Sequence, residues 1–140
     1  MEADLYPRNR PDLAEAIHGS IGELTQFHDS YGYYAHGVAP ETFTAPDGWE
    51  QRLVRVEVDR VGRDRVAVGW CLEPHDLVAS KCAARRERDF EYARVCLAHG
   101  LVDPDVLWAR AQTLPLAAVD LEYVLGVLRG LLARQRGDVE

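Results

Sequence analysis

The feature that most constrains this chain is a change of hydrophobic period near residue 73. From Arg52 to Asp59, Val54, Val56 and Val58 alternate with Arg55, Glu57 and Asp59, a strict period of two. Gly62-Arg63-Asp64 interrupts it, and Arg65 to Leu72 resumes it with Val66, Val68 and Trp70 on one face. Two β-rich runs around a short glycine-bearing break predict a hairpin. Beyond Leu72 the spacing turns helical. Pro74 suits a first-turn position, with His75 and Asp76 behind it, and opens a helix to about Arg86. A second helix, or a continuation, covers Asp89 to His99 and stops at Gly100. Asp103-Pro104-Asp105 opens a third that ends near Leu114-Pro115. The last runs from Leu116 to Arg134, with Val119, Leu121, Val124, Leu125, Leu128, Leu131 and Leu132 on a broad apolar stripe. A β-rich half (1–72) followed by a helical half (73–140) predicts an α+β class within one domain.

The N-terminal third is less regular. Ala3 to Tyr6 reads as a strand stopped by Pro7. Pro11-Asp12 opens a short helix to about His18, closed by Gly19, and Tyr33 to Val38 reads as a second strand. Residues 39–48 are a loop by turn chemistry. At 140 residues the chain can bury about two-thirds of its unfolded surface, enough for a core without disulfides. No apolar run reaches the roughly 18–20 residues of a membrane-spanning helix, and the charged, proline-punctuated start does not resemble a signal peptide. Acids outnumber bases by 23 to 16, a net charge of −7, which excludes a protein that simply coats nucleic acid. Cys71, Cys82 and Cys96 have no CxxC spacing and read as reduced thiols of a cytoplasmic protein.

Two groups of residues are candidates for chemistry. Glu2 and Asp4 lie two apart on the first strand, so both carboxylates share a face where they can hold Mg²⁺. On a continuous helix Lys81, Arg85 and Arg88 fall at i, i+4 and i+7, a basic stripe with Asp89 beside it, suited to phosphate. All of the 16 basic residues except Lys81 are arginine. His18, His28, His36, His75 and His99 show neither HxxxH nor HExxH spacing and give no zinc signature. Tyr31, Tyr33 and Tyr34 with Phe27 form an aromatic cluster that reads first as packing and second as a surface for stacking a base.

EADLYPRN at the start, GYYAHGV-x-PET, GWEQRLV, and CLEPHDLVASK-x-x-A-x-RERDFEYAR resemble a bacterial family of minimal nucleotidyltransferases still named as a domain of unknown function. The family is itself distantly similar to the abortive-infection nucleotidyltransferase toxins of type IV toxin–antitoxin systems. The resemblance covers residues 2 to about 114 and is most specific from Leu72 to Arg94. It implies a truncated nucleotidyltransferase-like mixed sheet followed by a helical half. Glu2 and Asp4 fall on the family's acid-x-acid metal pair. Lys81, Arg88 and Asp89 fall on its helical K…R-x-x-D element, which faces the nucleotide or its acceptor. Glu57 and Asp59 are the candidates for a third acid.

The implied activity is Mg²⁺-dependent transfer of a nucleotide from a nucleoside triphosphate to an RNA, protein or small-molecule acceptor. The family's Gly-Ser phosphate-binding element belongs before the acidic pair, where this chain has only Met1. The resemblance therefore implies either a fragment from an internal start or a degenerate relative that acts as a binding module. The breadth of the Leu116–Leu132 stripe adds the expectation of a homo-oligomer.

Overall fold

The computed structural model describes residues 2–59, 62 and 66–137. They form two compact units, one ending at Phe43 and the other beginning at Thr44. The class is mixed α+β, helices with small sheets. Among the described residues the strands form two two-stranded sheets, one parallel and one antiparallel, where a mixed sheet was expected. The expected turn at Arg63-Asp64 and strand start at Arg65 lie outside the described residues.

In the first unit, β1 (Glu2–Leu5) pairs in parallel with β2 (Tyr34–Gly37), with Glu2 opposite Tyr34 and Asp4 opposite His36. Parallel neighbours require a crossover, here supplied by α1 (Ala14–Ile21) and α2 (Gln26–Tyr31). A forked ion pair from Arg10 to Asp12 and Pro11 in the first turn lead into α1. This helix runs through Gly19 to Ile21, past the expected stop. The sequence reading passed over α2, whose six residues carry no apolar stripe. It is set by its ends instead. The Thr25 hydroxyl accepts from the His28 N–H at 3.3 Å and donates to the Gly22 carbonyl at 2.7 Å, and Gly32 closes the helix at φ +73°. Strand β2 lies so close to the start of α1 that a Cβ at Gly37 would sit 1.9 Å from the Ala14 carbonyl oxygen.

In the second unit, β3 (Val54–Val58) and β4 (Ala67–Cys71) form the expected hairpin, with Val54 opposite Cys71 and Val56 opposite Gly69. Four helices follow: α3 (Pro74–Ala83), α4 (Glu87–Ala98), α5 (Pro104–Ala111) and α6 (Ala118–Gly137). Their core joins Val78 and Cys82 of α3, Phe90 and Leu97 of α4, Leu107 of α5, and Val124, Leu128 and Leu132 of α6. Leu121, Leu125 and Leu131 pack against this core, so the α6 stripe is spent within its own unit, apart from the exposed Val119. The stripe therefore gives no ground for a homo-oligomer.

The helices are tied at their starts. Asp103 Oδ1 accepts from the N–H groups of Asp105 and Val106, both at 2.9 Å, capping α5. Glu73 caps α3 through the His75 N–H at 3.2 Å. The His75 ring lies between Glu73, 2.6 Å from Nδ1, and the Asp103 N–H, which donates to Nε2 at 2.8 Å. Burial pushes the Glu73 carboxyl upward, but its hydrogen bonds from the His75 ring and N–H outweigh that and leave it below its ordinary value.

Asp76, in the first turn of α3, has no exposed surface. Arg52 grips both its oxygens, Nε to Oδ2 at 2.8 Å and Nη2 to Oδ1 at 2.9 Å, and also donates to the Asp47 carbonyl at 2.7 Å. Arg110 Nε of α5 lies 3.7 Å from Asp76 Oδ1. The hydrogen bond to Asp76 raises the Arg52 guanidinium above its ordinary value. Removing one partner of such a pair strands a buried charge. Arg52→Ala, which leaves the buried Asp76 carboxylate without its two-pronged partner, is expected to lower the stability of this unit by about 3–5 kcal/mol in chemical denaturation, and a change under about 1 kcal/mol would contradict the role given to the pair.

The thiols give a second check. Cys82 and Cys96 are buried and Cys71 is exposed. Burial, with Asp89 and Cys96 nearby, pushes the Cys82 thiol up to about 12. A native-state titration with a thiol reagent should modify Cys71 alone, with Cys82 and Cys96 reacting only on unfolding.

Candidate functional site

The alternation of a strand sends Glu2 and Asp4 to one face of β1, and the parallel register sets Tyr34 and His36 of β2 beside them. One ligand atom from each of Glu2, Asp4 and His36 lies within 4.8 Å of the others. The His36 Nδ1 is 3.2 Å from Glu2 Oε1, and the Tyr34 hydroxyl donates to Glu2 Oε2 at 3.4 Å. Both acids are exposed and His36 is half-buried, so the cluster is open to a ligand from solvent. Rings extend it: His18 stacks against His36 with centroids 5.0 Å apart, and His28 against Tyr34 at 4.5 Å. The Leu24 N–H donates to His28 Nδ1 at 3.1 Å, which holds that ring with its proton on Nε2.

The donor set decides which cation suits it. Mg²⁺ favours an all-oxygen octahedron, and Glu2 with Asp4 meets that demand in part. An imidazole as third donor suits Mn²⁺, Fe²⁺ or Zn²⁺ better. The residues present fit a divalent cation, and His36 shifts the fit away from Mg²⁺ toward the ions that accept nitrogen. Sequence spacing missed His36 because its partners stand 32 and 34 positions away, joined only by strand pairing. The signal was present as two period-two pairs, Glu2-x-Asp4 and Tyr34-x-His36. The other candidates for a third acid, Glu57 and Asp59, belong to the second unit; Glu57 lies on the separate sheet and Asp59 just past the end of β3.

The basic group is not one helical stripe. Helix α3 stops at Ala83, Arg85 takes the left-handed region at φ 58°, and α4 begins afresh at Glu87. Two helices meeting at a turn do not preserve the i, i+4, i+7 spacing. Lys81 lies half-buried with Nζ 5.3 Å from the Tyr92 ring centroid, a cation–π arrangement. Arg85 pairs with Asp120 at the start of α6. Asp89 is buried and taken by Arg86, whose Nε donates at 2.6 Å, so it does not lie beside a cationic stripe on an open face. Arg88 is exposed.

Phe27, Tyr31 and Tyr33 pack on one another, with ring centroids 4.8 to 6.1 Å apart. Tyr31 and Tyr33 stay largely exposed, so packing accounts for only part of each ring. Among the described residues no helix is long and apolar enough to cross a membrane. No protein-family model, curated protein or solved structure matches the chain.

Proposed function

We propose that the first unit is a divalent-cation site serving nucleotidyl transfer, with Glu2, Asp4 and His36 as the cation-binding residues. The observation that carries this reading is the convergence of two carboxylates and an imidazole on one open strand face. A divalent ion held there supplies charge against an α-phosphate and favours ionisation of an attacking hydroxyl. The chain's own residues prepare the site. Tyr34 holds one Glu2 oxygen, and His36 sits within hydrogen-bond reach of the other. Mg²⁺ remains the ion implied by the resemblance, while the imidazole argues for Mn²⁺.

A nucleoside triphosphate is the proposed ligand, and RNA is one of the proposed acceptors. The resemblance alone suggests phosphate contacts for Lys81 and Arg88; both belong to the second unit, and the cation site is proposed without them. Arg85 is engaged with Asp120, and Asp89 with Arg86, which weighs against giving either a direct part.

Thermal melting with added metal and nucleotide tests the proposal. A ligand that binds only the native state stabilises it by about 2.7 kcal/mol at a hundredfold excess over its Kd. Millimolar Mn²⁺ should raise the melting temperature more than Mg²⁺ does, and nucleoside triphosphate should bind more tightly with Mn²⁺ than without. Asp4→Asn and His36→Ala should each abolish the metal-dependent shift while leaving the metal-free melt close to wild type. Absence of any metal shift in wild type, or an equal shift in both variants, would overturn the site. A metal shift without metal-dependent nucleotide binding would leave the cation site and remove the transfer reading.

A further inference from the structure

Within its own unit, the described residues cover neither face of the β3–β4 hairpin. Cross-strand neighbours share a face, so Val54, Val56 and Val58 lie with Ala67, Gly69 and Cys71, while Val68 and Trp70 lie with Glu57 and Arg55. Val54, Val56, Val58, Val68 and Trp70 are between 39% and 61% exposed. A two-stranded hairpin alone is marginal in water. The outer edge of β3 meets no other strand among the described residues, and its two charges, Arg55 and Glu57, are of opposite sign, so they block pairing with a strand of one charge but not with one that offers the opposite order.

We propose that β3 pairs with β3 of a second copy of this chain, antiparallel across a two-fold axis centred on Val56, so that two hairpins form one four-stranded sheet. Charge selects this occupant and this register. β3 carries Arg55 and Glu57 on the same face, hydrogen-bonded to each other. Centring the two-fold on Val56 sets Arg55 opposite the second copy's Glu57 and Glu57 opposite the second copy's Arg55. Val54 then meets Val58, and Val56 meets itself. Positive and negative charges alternate around the axis, so the strand is its own electrostatic complement. Because β3 has no net charge, it has no preference for an acidic or a basic partner. The β4 edge has no charged residue to set a register.

The interface is independent of the cation site. A five-residue strand spans about 17 Å, so pairing one strand from each copy makes a small contact of the kind found in weak, transient associations.

Sedimentation velocity from about 5 to 500 µM, the range in which weak association shows, tests the proposal. Wild type should pass from monomer to dimer. Arg55→Glu and Glu57→Arg each place like charges across the axis and should weaken association about tenfold or more. An equimolar mixture of the two single variants restores opposite charges and should recover a heterodimer. The double variant R55E/E57R should recover the homodimer, which also separates loss of pairing from loss of the hairpin. A wild type that stays monomeric throughout, single variants that dimerise as tightly as wild type, or failure of both the mixture and the double variant to recover would each overturn the interface.

Discussion

Asp76 is fully buried and charged, and much of the second unit is arranged to make that tolerable. Desolvating a carboxylate is costly by several kcal/mol unless opposite charge and hydrogen bonds replace water. Arg52 supplies a two-pronged grip and Arg110 a second cation, so the turn before β3, the start of α3 and the end of α5 converge on one side chain. The same guanidinium holds the Asp47 carbonyl, and the Asp47 N–H donates to Thr113 at the end of α5. His75 adds a parallel tie from α3 to the start of α5. Helix α3 is thereby fixed at its N-terminus by polar contacts and along its length by Val78, Ala79 and Cys82 in the apolar core.

This division of labour explains where exposed apolar surface is left. The α6 stripe is absorbed by the core that α3 organises, so its breadth reflects packing against several helices and not a surplus face. The hairpin is not absorbed. Arg52 anchors its entry, yet the strands that follow bury no side chain beyond partial cover of Ala67. Apolar strands held out by a rigid anchor are suited to pairing with another strand, whereas an apolar helix face inside a packed bundle is not.

Features set by local chemistry were legible in the sequence. The valine alternation marked the hairpin, and prolines and aspartates marked the starts of α3 and α5. The acid-x-acid pair could be assigned to one face because a strand's period is two. Features set by chain reversal were not legible. His36 reaches Glu2 only through parallel pairing across a crossover, which no spacing rule encodes. Arg52 and Asp76 are 24 positions apart, and an aspartate in a first helical turn ordinarily reads as a solvated helix-dipole partner. In the sequence the break at Arg85 stays open between a second helix and a continuation because its residues have ordinary helix propensity; Arg85 turns left-handed where the core positions of α3 end and those of α4 begin. Tertiary packing overrode a local pattern that would otherwise have run on.

The cation site is the point at which this account meets function, and its position can be mapped directly. Mn²⁺ is paramagnetic and broadens the amide resonances of residues near where it binds. In a titration followed by two-dimensional NMR, the account predicts that the signals of residues 2–5 and 34–37 broaden first, with His18 close behind, while Val78, Leu107 and Leu128 in the helical core keep their intensity. Broadening that begins elsewhere, at any other group of acids, or that spreads evenly over the surface would contradict a site built by Glu2, Asp4 and His36.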